Sequence, residues 1–213
     1  MKITYRCFFF SILLILVYSC KKDLLKQVSV TEGTFTDLRD GKVYKTTTIG
    51  EYTWFAENLS YETVSGSCYY NDDTVNKEYG RLYTYSAALD AVPAGWHLPT
   101  YNELIYLIDN LGGQSQINDH VKEAGNLHWS NNQNTDNYSR LTLIPGGCFN
   151  GDENSFKAIG QSVYMWYIRN TGAVAIQNGW GIDNNYFNTV VYFPLDNINL
   201  NNKISVRCVK NKE

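Results

Sequence analysis

Acid–base or metal chemistry at neutral pH would be built from His97, His120 and His128, the three histidines of the chain. His97 sits in a Gly-Trp-His-Leu-Pro turn, where a backbone hydrogen bond is the expected role. His120 falls on a probable helix, and His128 lies beside Trp129 in a loop. No Asp, Glu or Cys stands at a spacing that completes a metal set or a triad with any of them. The Gly-x-Ser-x-Gly elbow, the phosphate loop and the Rossmann fingerprint are absent. Glu57, just after an apolar strand, could be one of two glycosidase carboxylates facing a cleft. The simpler expectation is that it pairs with Arg81 or caps backbone amides. Asn71, Asp72, Asp73, Asn76 and Glu78 offer oxygen ligands at close spacing, as Ca2+ prefers, but lack the EF-hand glycine and terminal spacing. A solvated loop is expected there, with Ca2+ as the alternative, and no other cofactor or metal is indicated.

The strongest binding signal is the segment running through Trp180, Gly181, Ile182, Asp183, Asn184, Asn185, Tyr186, Phe187 and Asn188. Aromatic faces stack on the C–H surfaces of sugars, while Asn and Asp pair with hydroxyls. The same aromatics could instead be core residues flanking an Asn-rich turn. Trp129, followed by Ser130, Asn131 and Asn132, is a second candidate. Trp54, Trp96 and Leu98 read as core.

The elements that would hold these residues read as α+β. Asp40-Gly41 predicts a two-residue hairpin between strands at 34–38 and 43–46, and Gly50-Glu51 a second turn. A helix is expected over 81–91, with Leu82, Tyr85, Ala88 and Leu89 on one face. The clearest helix spans 100–111: Thr100 and Glu103 form a capping box, Leu104, Leu107, Ile108 and Leu111 recur at helical spacing, and Gly112-Gly113 stops it. Another short helix fits 116–124. Beyond it, short strands are expected at 141–144, 164–168, 173–177, 189–193 and 204–209. Helices in the first half followed by strands suggest α+β and not alternating α/β.

The chain has 213 residues, net charge −3, 15% aromatics with 17 Tyr, and 23 Asn. That length suits one medium domain with a real core. The weak acidity excludes a nucleic-acid binder, which needs clustered Lys and Arg. Lys2 and Arg6 followed by an apolar stretch from Phe8 to Val17 form an export signal, too short to span a bilayer. Val17-Tyr18-Ser19-Cys20 resembles a bacterial lipobox, with Cys20 the lipidated first residue of the mature chain and Lys21-Lys22-Asp23 similar to a surface-export tag. Residues 1–19 are then a lipoprotein signal peptide, 20–33 a flexible tether and 34–213 one domain, held at the outer membrane and cell surface through its lipid. Without Lys2 and Arg6 the mature chain carries 16 basic against 21 acidic residues, a net of −5. Cys68, Cys148 and Cys208 remain, enough for one bridge at most. Asp73-Thr74-Val75 resembles a D-[ST]-aliphatic O-glycosylation motif, which would modify Thr74.

Several stretches resemble the Fibrobacter succinogenes major paralogous domain family. They are Thr34-Phe35-Thr36-Asp37-Leu38-Arg39-Asp40-Gly41-Lys42-Val43-Tyr44, Thr53-Trp54-Phe55-Ala56-Glu57-Asn58-Leu59, Tyr79-Gly80-Arg81-Leu82-Tyr83-Thr84, Pro93-Ala94-Gly95-Trp96-His97-Leu98-Pro99-Thr100, Pro145-Gly146-Gly147, and Ser205-Val206-Arg207-Cys208-Val209. The Gly-Trp-His-Leu-Pro-Thr stretch with its following helix and distant closing strand is also similar to the C-type lectin-like superfamily. The resemblance implies a C-type lectin-like α+β fold, with two or three helices on short, mostly antiparallel strands, paired terminal strands, and binding loops. Lys77 and Val92 stand near where the family often has Cys, so Cys68 and Cys208 lack the partners that the resemblance implies, and whether Cys68, Cys148 and Cys208 form a bridge stays open. Met165-Trp166-Tyr167 replaces a Trp-Trp-Ser-Ser-Thr run. The Trp-Asn-Asp calcium signature of sugar-binding C-type lectins is missing, and Cys208 has no neighbouring Cys of the kind formylglycine-generating enzymes use. The expected function is a non-catalytic binding or adhesion module for glycans. A structural subunit of a pilus tip or envelope complex, contacting protein, is the alternative, and a glycan-modifying enzyme comes third.

Overall fold

The computed structural model describes residues 28–72, 74–132, 134–168, 199 and 201–212, together with the backbone of two strands at 172–177 and 189–194. The chain begins with three strands, β1 (Val30–Thr36), β2 (Val43–Ile49) and β3 (Tyr52–Phe55), then β4 (Ser67–Cys68), two 3-10 turns (Tyr70–Asp72, Thr74–Tyr79) and β5 (Leu82–Tyr83). Next come α1 (Tyr85–Ala91), β6 (Trp96–His97), α2 (Tyr101–Asn110) and α3 (Ile117–Val121). The second half holds β7 (Gly146–Asn150), β8 (Ser155–Ile159), β9 (Ser162–Tyr167), β10 (Gly172–Gln177), β11 (Thr189–Pro194) and β12 (Val209–Lys210). One sheet has the order β1-β2-β3-β12-β6, the second β11-β10-β9-β7-β8, and β4-β5 forms a small pair. The fold is α+β, and the strand pairings are antiparallel except that of β7 with β9.

Strand alternation divides the core. Trp54 and Phe55 are neighbours on β3 and point to opposite faces. Trp54 joins Leu104, Leu107, Ile108, Trp129, Leu143 and Met165, whereas Phe55 joins Tyr44, Tyr83, Trp96, Leu98 and Trp166. Met165 and Trp166 repeat the division on β9. The buried indole of Trp166 donates to Tyr83 O at 2.7 Å, so its polar edge is satisfied.

The capping box is present as read: Thr100 Oγ1 accepts from Glu103 N, and the Glu103 carboxylate accepts from Thr100 N at 2.7 Å. Other expectations change. Val28 is buried and 30–33 belong to β1, so the folded domain starts inside the expected tether. The first hairpin closes on Asp37 N to Lys42 O (2.8 Å) and Gly41 N to Asp37 O (2.8 Å), a longer loop than the two residues expected. The Asp37 carboxylate grips the Arg39 guanidinium, which also donates to Ala91 O at 2.7 Å and lies 3.8 Å over the Tyr61 ring. This loop therefore caps the C-terminus of α1, a helix that starts only after the Thr84 N-cap because Leu82 and Tyr83 pair with β4. Ala87, Ala88 and Ala91 form its buried face, and Leu89 is exposed.

No strand forms over 141–144. Thr142 sits at φ 51°, a costly value for a β-branched residue, and only Leu143 makes a bridge, to Lys122. The Pro-Gly-Gly stretch, read only as a family signature, opens the unexpected β7–β8 hairpin. The segment at 204–209 stays extended but serves several partners: Ile204 N bonds Tyr83 O, Ser205 N bonds Tyr164 O, and Leu59 N and Phe55 N bond Val206 O and Cys208 O. Its end, β12, lies between β3 and β6, so the C-terminal strand joins the N-terminal sheet without pairing with β1.

Candidate functional site

The motif residues turn inward. Arg207 is fully buried, and its guanidinium donates from Nε to Asn58 Oδ1 (2.6 Å), from Nη1 to Leu141 O (2.7 Å) and Phe55 O (3.2 Å), and from Nη2 to Thr142 O (3.0 Å). Asn58 in turn donates to Tyr79 O at 2.9 Å. The acceptors are neutral oxygens, and burial pulls the guanidinium down to about 9, so it stays charged at pH 7. Arg207 thus holds β3, the Tyr-Gly-Arg-Leu stretch and the 141–142 turn to the C-terminal segment. Arg81 pairs with Glu62 at 2.9 Å and stacks on Tyr69. Glu57 does not meet Arg81, which pairs with Glu62; it accepts from Lys45 N at 2.9 Å and so caps a backbone amide.

Each histidine has carboxylate company. His97 bonds Glu103 through Nε2 (2.8 Å) and Asn211 Oδ1 through Nδ1 (2.7 Å), side-chain contacts in place of the expected backbone bond. The Glu103 bond raises the imidazole pKa against the opposing effect of burial. Burial pushes Glu103 up, but His97 and Thr100 outweigh it and hold the carboxyl below its ordinary value. His120 faces Asp136 at 3.0 Å. His128 Nδ1 lies 2.8 Å from Glu123, its Nε2 faces Glu78 at 3.5 Å, and its ring packs edge-on to Tyr79. A carboxylate thus faces each ring nitrogen and orients this imidazole. Among the described residues, no group of three His, Cys, Asp or Glu side chains could hold a metal ion.

Trp129 is not a ligand platform. It is 1% exposed, donates to Leu143 O at 2.9 Å and carries the Lys122 ammonium 4.4 Å over its ring. Asn132 beside it is buried and donates to Gly125 O at 2.6 Å. Asn71, Asp72 and Thr74 are exposed, while Asp73 lies outside the described residues. Trp180, Asp183, Asn184, Asn185 and Tyr186 also lie outside the described residues, as does Cys20. On either side of 178–188, the Gln177–Thr189 pair ends the β10–β11 ladder, with β11 at the edge of its sheet.

Sequence reading missed a surface hollow of about 550 Å³ lined by Val28, Ser29, Val30, Glu32, Tyr138 and Arg140. Its wall is a turn in which Asn137, Arg140 and Thr142 all have positive φ, pinned by Asn137 Oδ1 accepting from Thr142 N and by Arg207 on the carbonyls behind. The hollow combines a phenol, a guanidinium and a carboxylate, a set that can bond polyhydroxylated ligands. The only hint in the sequence was the Asn- and Asp-rich run before Tyr138, which reads as turn chemistry.

The family model described as the Fibrobacter succinogenes major domain matches residues 47–210, more than half of the chain. No curated protein and no solved structure matches.

Proposed function

We propose a non-catalytic binding role from one premise: the chain belongs to the Fibrobacter succinogenes major domain family. On this reading it is a lipoprotein, anchored through Cys20 at the outer membrane and cell surface, whose domain follows the C-type lectin-like plan and binds glycans. Among the described residues no helix is long and apolar enough to cross a membrane. The observation that carries the reading is the placement of the aromatic excess. The motif aromatics Trp54, Tyr83 and Trp96 are consumed in the core. The Trp180, Asp183, Asn184, Asn185 and Tyr186 cluster lies in sequence between β10 and β11, outside the described residues. Exposed Leu38, Val64 and Leu127 favour the second reading, a subunit of a pilus tip or envelope complex that contacts protein.

A glycan array probed with residues 21–213, which keep all of β1, tests the first reading. Binding to a defined glycan class, lost in Trp180→Ala and Tyr186→Ala, supports it. Absence of glycan binding, together with co-purification of one envelope protein, sinks it in favour of the second. For the anchor, acyl labelling in cells should disappear in Cys20→Ala.

A further inference from the structure

Cys68 is a buried thiol on β4, and Lys203 reaches across from the C-terminal segment to donate to its Sγ at 3.5 Å. The contact joins positions 135 residues apart. Lys203 is fixed by its backbone, which exchanges hydrogen bonds with Phe149 at 2.9 and 3.0 Å, and its ammonium lies 5.1 Å from the Phe149 ring centroid. Tyr70, Leu82, Phe156 and Ile159 supply the apolar surroundings of Cys68. Burial dominates and holds the thiol above its ordinary value, with Lys203 opposing. Asp72, in the 3-10 turn that follows β4 and at φ 52°, raises the thiol further through its charge. The cluster therefore places an oxidisable sulfur against a lysine nitrogen, with the exposed Asp72 nearby.

We propose that Cys68 and Lys203 form a reversible covalent cross-link when the protein meets a hydroperoxide. The Cys68 thiolate attacks the peroxide and the O–O bond breaks. With hydrogen peroxide, one oxygen stays on sulfur as a sulfenic acid and the other leaves as hydroxide, taking up the thiol proton to become water. Sulfur is oxidised by two electrons and the peroxide is reduced. The Lys203 nitrogen, its extra proton given to solvent, then attacks the sulfenic sulfur, the S–O bond breaks, and the hydroxyl leaves with one of the two remaining nitrogen protons as a second water. The product is a sulfenamide, Cys68 S–N Lys203, whose formation removes two hydrogens from the protein. A thiol reductant returns both side chains. The link ties β4 to the C-terminal segment.

The test treats the folded full-length protein with hydrogen peroxide, followed by intact mass and peptide mapping. The expected result is a loss of about 2 Da, a single peptide joining the Cys68 and Lys203 segments, and reversal by dithiothreitol. Protein unfolded in urea should not form this link, which isolates the folded geometry even where a variant fails to fold. Lys203→Arg keeps the charge but should stop at oxygen adducts of Cys68. A disulfide accounting for the mass loss, only oxygen adducts on Cys68 in the folded parent, or linkage to another lysine would each overturn the proposal.

Discussion

Replacing Arg207 with methionine keeps most of the side-chain volume and deletes every donor of the guanidinium. Three of its bonds are short and well directed, to Asn58 Oδ1 at 2.6 Å, Leu141 O at 2.7 Å and Thr142 O at 3.0 Å. Orphaned buried acceptors cost about 1–3 kcal/mol each, a gross loss of about 3–9 kcal/mol. Removing a desolvated charge gives back several kcal/mol, as replacements of buried ions by apolar groups show, which leaves a net destabilisation of about 2–4 kcal/mol. For a domain of this size that is a fall in melting temperature of about 5–15 °C. Arg207→Lys discriminates between charge and geometry: an ammonium retains the buried charge but cannot span the same set of acceptors. Lysine should therefore be no better than methionine. The assay is thermal and urea unfolding of parent, methionine and lysine variants, with an unchanged urea slope required for the comparison. A methionine variant melting within about 2 °C of the parent would refute the claim that this guanidinium holds the C-terminal segment in place.

Two further predictions concern the frame of the domain. His97→Ala should destabilise most between about pH 4.5 and 6.5, the ordinary values of the two partners. The raised His97 contributes fully below 6.5 and loses its contribution as pH rises through its folded value. The lowered Glu103 contributes above 4.5 and loses its contribution as pH falls through its own. Urea midpoints of parent and variant across acid to alkaline pH check this, and a difference independent of pH would contradict it. Gly147→Ala should cost about 3 kcal/mol or more, because at φ 65° its Cβ would sit 2.3 Å from Lys157 O and 2.7 Å from Ile159 N. Gly41→Ala, at φ 75° in open space, should cost only about 1–2 kcal/mol; equal losses in urea unfolding would show that the close approach in the β7–β8 hairpin is not what requires glycine.

Local chemistry was legible where it decides structure by itself. The Thr100–Glu103 box fixed the start of α2 because both reciprocal bonds lie within four residues. Tertiary partners overrode local preference elsewhere. Leu82 and Tyr83 look helical by spacing but pair with Ser67 and Cys68, and the apolar run at 141–144 loses strand geometry because its carbonyls turn toward Arg207. Gly147, read only within a family signature, lets β7 pass close to β8. Trp129 could not be assigned to core or surface from its polar neighbours, since Asn132 is itself buried on backbone carbonyls. Arg207 left one signal that was not used: a single charge inside the alternating Ile204–Val209 run, on a segment buried along its length.

The position of β12 also dictates an order of events. β3 and β6 are not bonded to each other; the strand between them is Val209–Lys210, more than a hundred residues further along the sequence than either. A polypeptide that emerges N-terminus first, as from a ribosome, cannot close this sheet until residues 204–210 have emerged. Up to that moment β3 and β6 each have an unpaired edge, and Arg207 has not reached the carbonyls at 141–142. Completion of the domain thus waits on the 204–210 segment, and a product truncated before Ile204 would lack the means to close and would be open to proteolysis.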